Sequence, residues 1–219
     1  MKDVWIITSV IHTSQAPWTY TTTRSAFTPA ERMEQVLKTI KSIRDLPDNN
    51  AIVLVECSAV THEETECLAK VVDVFINLYD IPQARALCHE SPKKSHGEAY
   101  QTLVALQHIK LMDDIRTIYK ITGRYWINER FDKSTHSKEA FTFSSLHRSE
   151  GSATGTVLYG CPMSLIDVFE SALKEVIEFG YTNGYFFYEL ILPHKCNPKH
   201  YVEMGVEGLC GVDRSRIFF

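Results

Sequence analysis

The chain has 219 residues, with 23 Lys+Arg against 27 Asp+Glu, a net charge of −4, and 44% hydrophobic and 23% charged residues. That length buries a core without disulfides or metals as staples, and the composition is ordinary for a globular chain. The balance lacks both the basic footprint of a dedicated nucleic-acid binder and the character of a disordered acidic protein.

The segment Met1-Lys2-Asp3-Val4-Trp5-Ile6 has no long apolar stretch followed by a small-residue cleavage site, so no signal peptide is expected. No apolar run approaches the roughly 20 residues of a membrane span. The six cysteines, Cys57, Cys67, Cys88, Cys161, Cys196 and Cys210, never form a C-x-x-C pair, which argues for reduced thiols in a cytoplasmic protein and against structural zinc.

Strand-length apolar runs alternate with helical patterns. Val4 to Ile11, Ala51 to Val55, Val71 to Leu78 and Thr117 to Ile127 suit strands covered on both faces. Between the first two, Thr28-Pro29-Ala30-Glu31 supplies an N-cap, a proline at the first helical position and a capping glutamate. Met33, Val36, Leu37, Ile40 and Ile43 then recur at helical spacing. Thr61-His62-Glu63-Glu64 and Ser95-His96-Gly97-Glu98 repeat the capping pattern, so each is expected to open a helix. Ala140 to Ser144 and Thr154 to Tyr159 read as short strands, and a helix from about 164 to 179 ends at Gly180. The order β-α-β-α-β-α-β over the first 127 residues predicts an α/β domain with a mostly parallel sheet flanked by helices. The last third reads as α+β. With no linker or repeat in between, residues 1–219 are expected to form one domain.

Ligands of open α/β sheets bind beyond the carboxyl ends of the strands, where strand order reverses. That rule nominates Thr8, Ser9 and His12 after the first strand and Glu56 and Ser58 after the second. It also nominates Lys93, Lys94 and Gly97 before the third helix, and the run Lys120-Ile121-Thr122-Gly123-Arg124-Tyr125. No G-x-G-x-x-G, P-loop or G-x-S-x-G pattern is present, which disfavours Rossmann dehydrogenases, P-loop NTPases and α/β-hydrolases. An acidic strand end with basic residues before a helix suits a nucleoside diphosphate. Glu56 would accept from ribose or base, while Lys93, Lys94 and the helix start near Gly97 would hold phosphate oxygens. A solvated glutamate and an ordinary basic turn are the alternatives.

The endings Thr8-Ser9 and Glu56-Cys57-Ser58, the Ser95-His96-Gly97-Glu98 helix start and the Tyr119-Lys120-Ile121-Thr122-Gly123-Arg124-Tyr125-Trp126 strand resemble GT-A-type (Rossmann-like) nucleotide-sugar glycosyltransferases. The Tyr119 to Trp126 run resembles a strand of small surface-glycan transferases of bacteria and large DNA viruses, and Phe187-Tyr188-Glu189-Leu190-Ile191-Leu192-Pro193 and Gly205-Val206-Glu207-Gly208 resemble the acceptor-side part of the same proteins. The resemblance implies a UDP-sugar donor held by residues 1–132 and a glycan acceptor received by residues 133–219. It also implies an Asp-x-Asp that binds Mn²⁺ or Mg²⁺, but the matching positions here are Thr122-Gly123-Arg124.

Without those carboxylates, fixed cations must stabilise the leaving diphosphate. Strand alternation puts Lys120, Thr122 and Arg124 on one face, and Arg130 is near in sequence. Arg124 paired with Asp132 is the structural alternative. Asp132, Glu129, His194 and His200 are the residual metal-ligand candidates. An inverting transfer needs a base, and Glu189, set among apolar neighbours that would raise its pKa, is the candidate. A surface glutamate with a lysine partner is the competing reading, as is a catalytically inactive module that binds glycan or a partner. Charge is segregated: residues 93–133 carry eight Lys/Arg against five Asp/Glu, which leaves room for one small anion.

Overall fold

In a computed structural model of the chain, the described residues are 1–136, 139–148, 151–180, 199–201 and 203–218, with backbone alone for 144–148, 151–156 and 200–201. The first half runs β1 (Lys2–Ser9), α1 (Pro29–Arg44), β2 (Asn50–Glu56), α2 (His62–Val71) and β3 (Val74–Asn77). A short α3 (Pro82–Ala84) passes into a π-helical turn (Arg85–Glu90), followed by α4 (Lys94–Ile109), β4 (Ile115–Thr122) and β5 (Tyr125–Ile127). Then come β6 (Thr142–Arg148), β7 (Gly151–Pro162), α5 (Ile166–Phe179), β8 (Lys199–Tyr201), β9 (Val206–Leu209) and β10 (Arg216–Phe218).

The central sheet has seven strands in the order β3-β2-β1-β4-β7-β6-β8. Every neighbouring pair is parallel except β4–β7 and β7–β6, so β7 alone opposes the others. Alternation along each strand divides its side chains between two cores. Val4, Ile6, Val53 and Val55 face α4 and α5, packing with Leu106, Ile109, Phe169 and Leu173. Trp5, Ile7, Ile52 and Leu54 face α1 and α2, packing with Val36, Ile40, Ile43 and Leu68. Coverage on both faces explains why these strands read as unbroken apolar runs. The capping boxes expected at Thr28/Glu31 and Thr61/Glu64 both form.

Three expectations shift. The third strand begins at Val74, because Val71 completes α2. The expected strand Thr117 to Ile127 is two strands in two sheets: β4 stays in the central sheet, while β5 joins an antiparallel sheet of order β10-β9-β5. The break falls where the Gly123 amide donates to Thr8 O at 3.0 Å and the Arg124 amide to Thr122 O at 2.7 Å. Both strands of the β6–β7 hairpin are also longer than expected, since ladder pairing carries through Ser144–Arg148 and Gly151–Gly155, where apolar alternation is weak.

Helix α4 departs from its expected cap. Its N-cap is Lys93, with no side-chain capping bond, and Ser95 lies inside the first turn. Glu98 turns instead to the buried Lys120 and Thr122. A buried ammonium needs a carboxylate more than a helix end needs a cap.

Candidate functional site

The chain steps outward from β1 to β2 and β3, then returns to the other side of β1 for β4, so strand order reverses between β1 and β4. Register brings Ser9 level with Glu56 and Thr8 level with Thr122, aligning the carboxyl ends. A cleft of about 70 Å³ opens there, lined by Thr8 and Ser9 of β1, by Gly97 and Gln101 of α4, and by Thr122 and Arg124. Arg24, Arg32 and Lys94 also line it, so with Arg124 four cations face one carboxylate, Glu98.

Each cation is held differently. Arg32, 8% exposed, projects from the first turn of α1 and donates through Nε to Val10 O at 2.6 Å. Burial, aided by Arg124, pushes its pKa down to about 9. Lys94 opens α4 half-buried and makes no hydrogen bond or ion pair among the described residues. Desolvation first, then Arg124 and Arg32, push its ammonium down to about 7. Arg124 is 9% exposed, and its Nε is buried with no partner among the described residues. Its guanidinium lies against Gly211, where a β-carbon would come within 2.1 Å of Nη1, so the glycine makes the approach possible.

Arg24 belongs to a strap, residues 13–27, that crosses the cleft between β1 and α1. It donates to Ala16 O at 3.1 Å, His89 O at 2.6 Å and Ser91 O at 2.8 Å. The Trp18 ring lies 3.9 Å from its guanidinium carbon and donates to Arg24 O at 3.1 Å. Backbone bonds Thr19 N to Pro92 O and Ala26 N to Gly211 O tie the strap at two further points.

Of the residues nominated from sequence, Thr8, Ser9, Lys94, Gly97, Thr122 and Arg124 meet at this cleft. Gly123 sits just behind, packed under Val36 and Thr8. Lys120 lies inside the protein, 0% exposed, ion-paired with Glu98 and donating to Thr122 Oγ1 at 3.0 Å.

The others serve elsewhere. Glu56 is wholly buried, and its Oε1 accepts from the amides of Ile11 and Cys57 and from Ser58 Oγ at 2.6 Å. Ser58 in turn accepts from the His12 amide at 3.0 Å, while the His12 ring pairs with Glu64 at 2.9 Å. These three residues therefore shape the turn after β1 and do not line the cleft. Lys93 is exposed, with its ammonium beside Gly180 at the C-terminus of α5, a position that favours a cation.

Asp132 is exposed and caps its own turn, accepting from Ser134 N at 2.8 Å and Ser134 Oγ at 2.7 Å. Its neighbour Lys133 reaches Asp3 at 2.9 Å, at the amino end of β1. Six residues at about 3.3 Å each separate that end from Ser9, so Asp132 neither pairs with Arg124 nor joins the cleft. Arg130 pairs with Glu203 in a separate surface hollow that also contains Glu129. Glu189 and His194 lie outside the described residues, as does Cys196.

Arg24 and Arg32 are the functional candidates that motif reading missed. Arg32 hides in an amphipathic helix and Arg24 in a polar loop, and neither carries a pattern. The donor set does not suit a divalent cation. Among the described residues no three His, Cys, Asp or Glu side chains converge to hold one. Among the described residues Glu98 is engaged by Lys120, and Glu56 is held through Oε1 and lies outside the lining.

No protein-family model matches this sequence. No curated protein matches it either. Among solved structures, the chain is similar to a glycosyltransferase involved in the glycosylation of the major capsid of PBCV-1, with a TM-score of 0.52 over 96% of this chain and 94% of that one. It shares that protein's fold. At 8% identity the likeness extends to architecture: a mixed α/β fold with a mostly parallel central sheet flanked by helices. No helix among the described residues is long and apolar enough to cross a membrane.

Proposed function

We propose that this protein is a glycosyltransferase that moves a sugar from a nucleoside diphosphate, a UDP-sugar in the simplest case, to a glycan acceptor. The observation that carries the reading is the cationic cleft at the β1/β4 carboxyl ends, lined by Arg24, Arg32, Lys94 and Arg124, in a chain with a glycosyltransferase fold. A topological switch point is where such a sheet receives its ligand, and clustered donors suit a diphosphate. Residues 1–132 would hold the donor and residues 133–219 the acceptor. Glu189 would serve as the base that takes the acceptor proton.

The test is release of nucleoside diphosphate from a panel of sugar nucleotides, with and without glycan acceptors. Turnover is expected, with loss on Arg124→Met. Glu189→Gln is expected to abolish transfer while leaving nucleotide binding within about twofold. No release from any sugar nucleotide would overturn the reading. The second reading, an inactive module that binds glycan, is favoured by Thr122-Gly123-Arg124 standing where carboxylates are expected, and it predicts glycan binding with no turnover.

A further inference from the structure

We infer that the cleft neutralises a diphosphate with its own side chains, Arg32, Lys94 and Arg124 with Arg24 closing over them, in place of a divalent cation. This rests on the diphosphate reading above and adds to it the agent that carries the charge.

The first support is charge accounting. Four cationic side chains line one small cleft. Among the described residues one carboxylate, Glu98, also lines the cleft, and it is committed to Lys120 and Thr122. Glu56, outside the lining, is held through Oε1 by two amides and Ser58, and its charge offsets part of the repulsion felt by Arg32. Arg32, Lys94 and Arg124 thus repel one another in a desolvated setting, and Lys94 feels both of the others. An anion entering the cleft removes that repulsion and gains attraction from every member at once.

The second support is unused bonding capacity. Arg124 Nε and Ser9 Oγ are buried without partners among the described residues, and both residues line the cleft. Buried polar atoms are rarely left unpaired. Donors fixed in place before the ligand arrives cost no reorganisation when charge develops. Gly211, lacking a side chain, leaves the room that the Arg124 guanidinium occupies.

The third support is the mismatch with a metal. A cation beside Arg124 and Lys94 would meet like charge, with one already paired carboxylate, Glu98, in the lining to hold it. A phosphate oxygen wants donors, whereas a metal wants acceptors.

In transfer, the bond between the anomeric carbon and the diphosphate oxygen breaks, and its electron pair stays on that oxygen. The acceptor hydroxyl oxygen forms the new bond to carbon, and its proton passes to the base. Lys94 and Arg124 hold the charge that remains on the diphosphate.

Calorimetric titration of the full chain with UDP, and separately with inorganic pyrophosphate, tests this in EDTA and then in Mn²⁺. Both probes are expected to bind in EDTA, with Mn²⁺ changing affinity by less than about twofold. Lys94→Met and Arg124→Met are each expected to weaken binding by about tenfold or more. Lys94→Arg should retain it, which separates lost charge from a damaged fold, and melting temperatures check folding directly. Binding that appears only with Mn²⁺, or Met variants that bind like the wild type, would overturn the inference. The two proposals fail separately. Metal-free pyrophosphate binding without sugar-nucleotide turnover sinks the transferase reading alone, whereas turnover abolished by EDTA sinks this inference alone.

Discussion

Lys120 of β4 and Glu98 of α4 form an ion pair at the floor of the cleft, with Lys120 fully buried and Glu98, which lines the cleft, 8% exposed. Thr122 Oγ1 joins them, accepting from Lys120 at 3.0 Å and reaching Glu98 Oε1 at 3.3 Å. Burial, then Lys94 and Arg124, press Lys120 toward its neutral form, and the carboxylate opposes that pressure. The pair ties the sheet to the helix whose first residue is Lys94, and Glu98 is itself part of the cleft wall, so the pair both positions the cleft and sets one carboxylate at its edge.

Removing one member of such a pair costs more than removing both, because the survivor stays buried and unpaired. Glu98→Gln is expected to lower unfolding free energy by about 3–5 kcal/mol. The double replacement Lys120→Met with Glu98→Leu should recover most of that loss. Denaturant midpoints of the three proteins decide it, and equal losses in single and double variants would contradict it.

Lys94 makes anion binding depend on pH. In the free protein its ammonium titrates near 7, well below the ordinary lysine value of 10.5. A bound anion favours the charged form and raises that pKa, so binding takes up a proton above pH 7. Affinity for pyrophosphate should therefore fall as pH rises from about 7, by up to tenfold per unit. Calorimetry in buffers of different ionisation enthalpy reads the uptake, and Lys94→Met should abolish it. Folding shows the opposite trend. Between pH 7 and 10.5 the unfolded chain holds the Lys94 proton that the folded one releases, so this residue's contribution makes stability rise with pH.

The strap over the cleft is latched at Arg24. The free space of the cleft, about 70 Å³, is far below the roughly 300–1,000 Å³ of ordinary ligand pockets, so the strap is expected to shift as a nucleotide enters. Arg24→Ala removes three bonds to carbonyls and the Trp18 contact. It should cost about 2–4 kcal/mol and speed chymotryptic cleavage at Tyr20, which is 64% exposed. Unchanged cleavage would show that Arg24 is not the latch.

Gly97 is a packing residue as well as part of the cleft wall. A β-carbon there would fall 2.7 Å from the Cys88 α-carbon, in backbone that cannot swing aside. Gly97→Ala is expected to destabilise the protein by about 1–3 kcal/mol, read by thermal melting. A neutral result would show that the π-helical turn yields.

The alternation of apolar runs with capped helices follows from local chemistry, so Thr28/Glu31, Thr61/Glu64 and the buried strands β1 and β2 are legible in the sequence. The same chemistry places Thr8, Ser9, Thr122 and Arg124 at strand ends, because a parallel α/β order sends those ends to one side. What local pattern does not carry is partnership across the fold. Ser95-His96-Gly97-Glu98 satisfies a capping motif, yet Glu98 goes to Lys120, whose desolvation is invisible until β4 and α4 are stacked. Asp132 lies eight positions after Arg124, yet the chain leaves the sheet at Gly123 and carries it to the amino end of β1. Arg24 and Arg32 bear no motif at all, and they reach the cleft only because a strap folds back and a helix turns one residue inward. The near-neutral composition with which the chain begins thus conceals a local excess of positive charge. Sequence locates the strand ends where it gathers, and tertiary packing decides that four cations meet there beside one carboxylate already paired with Lys120.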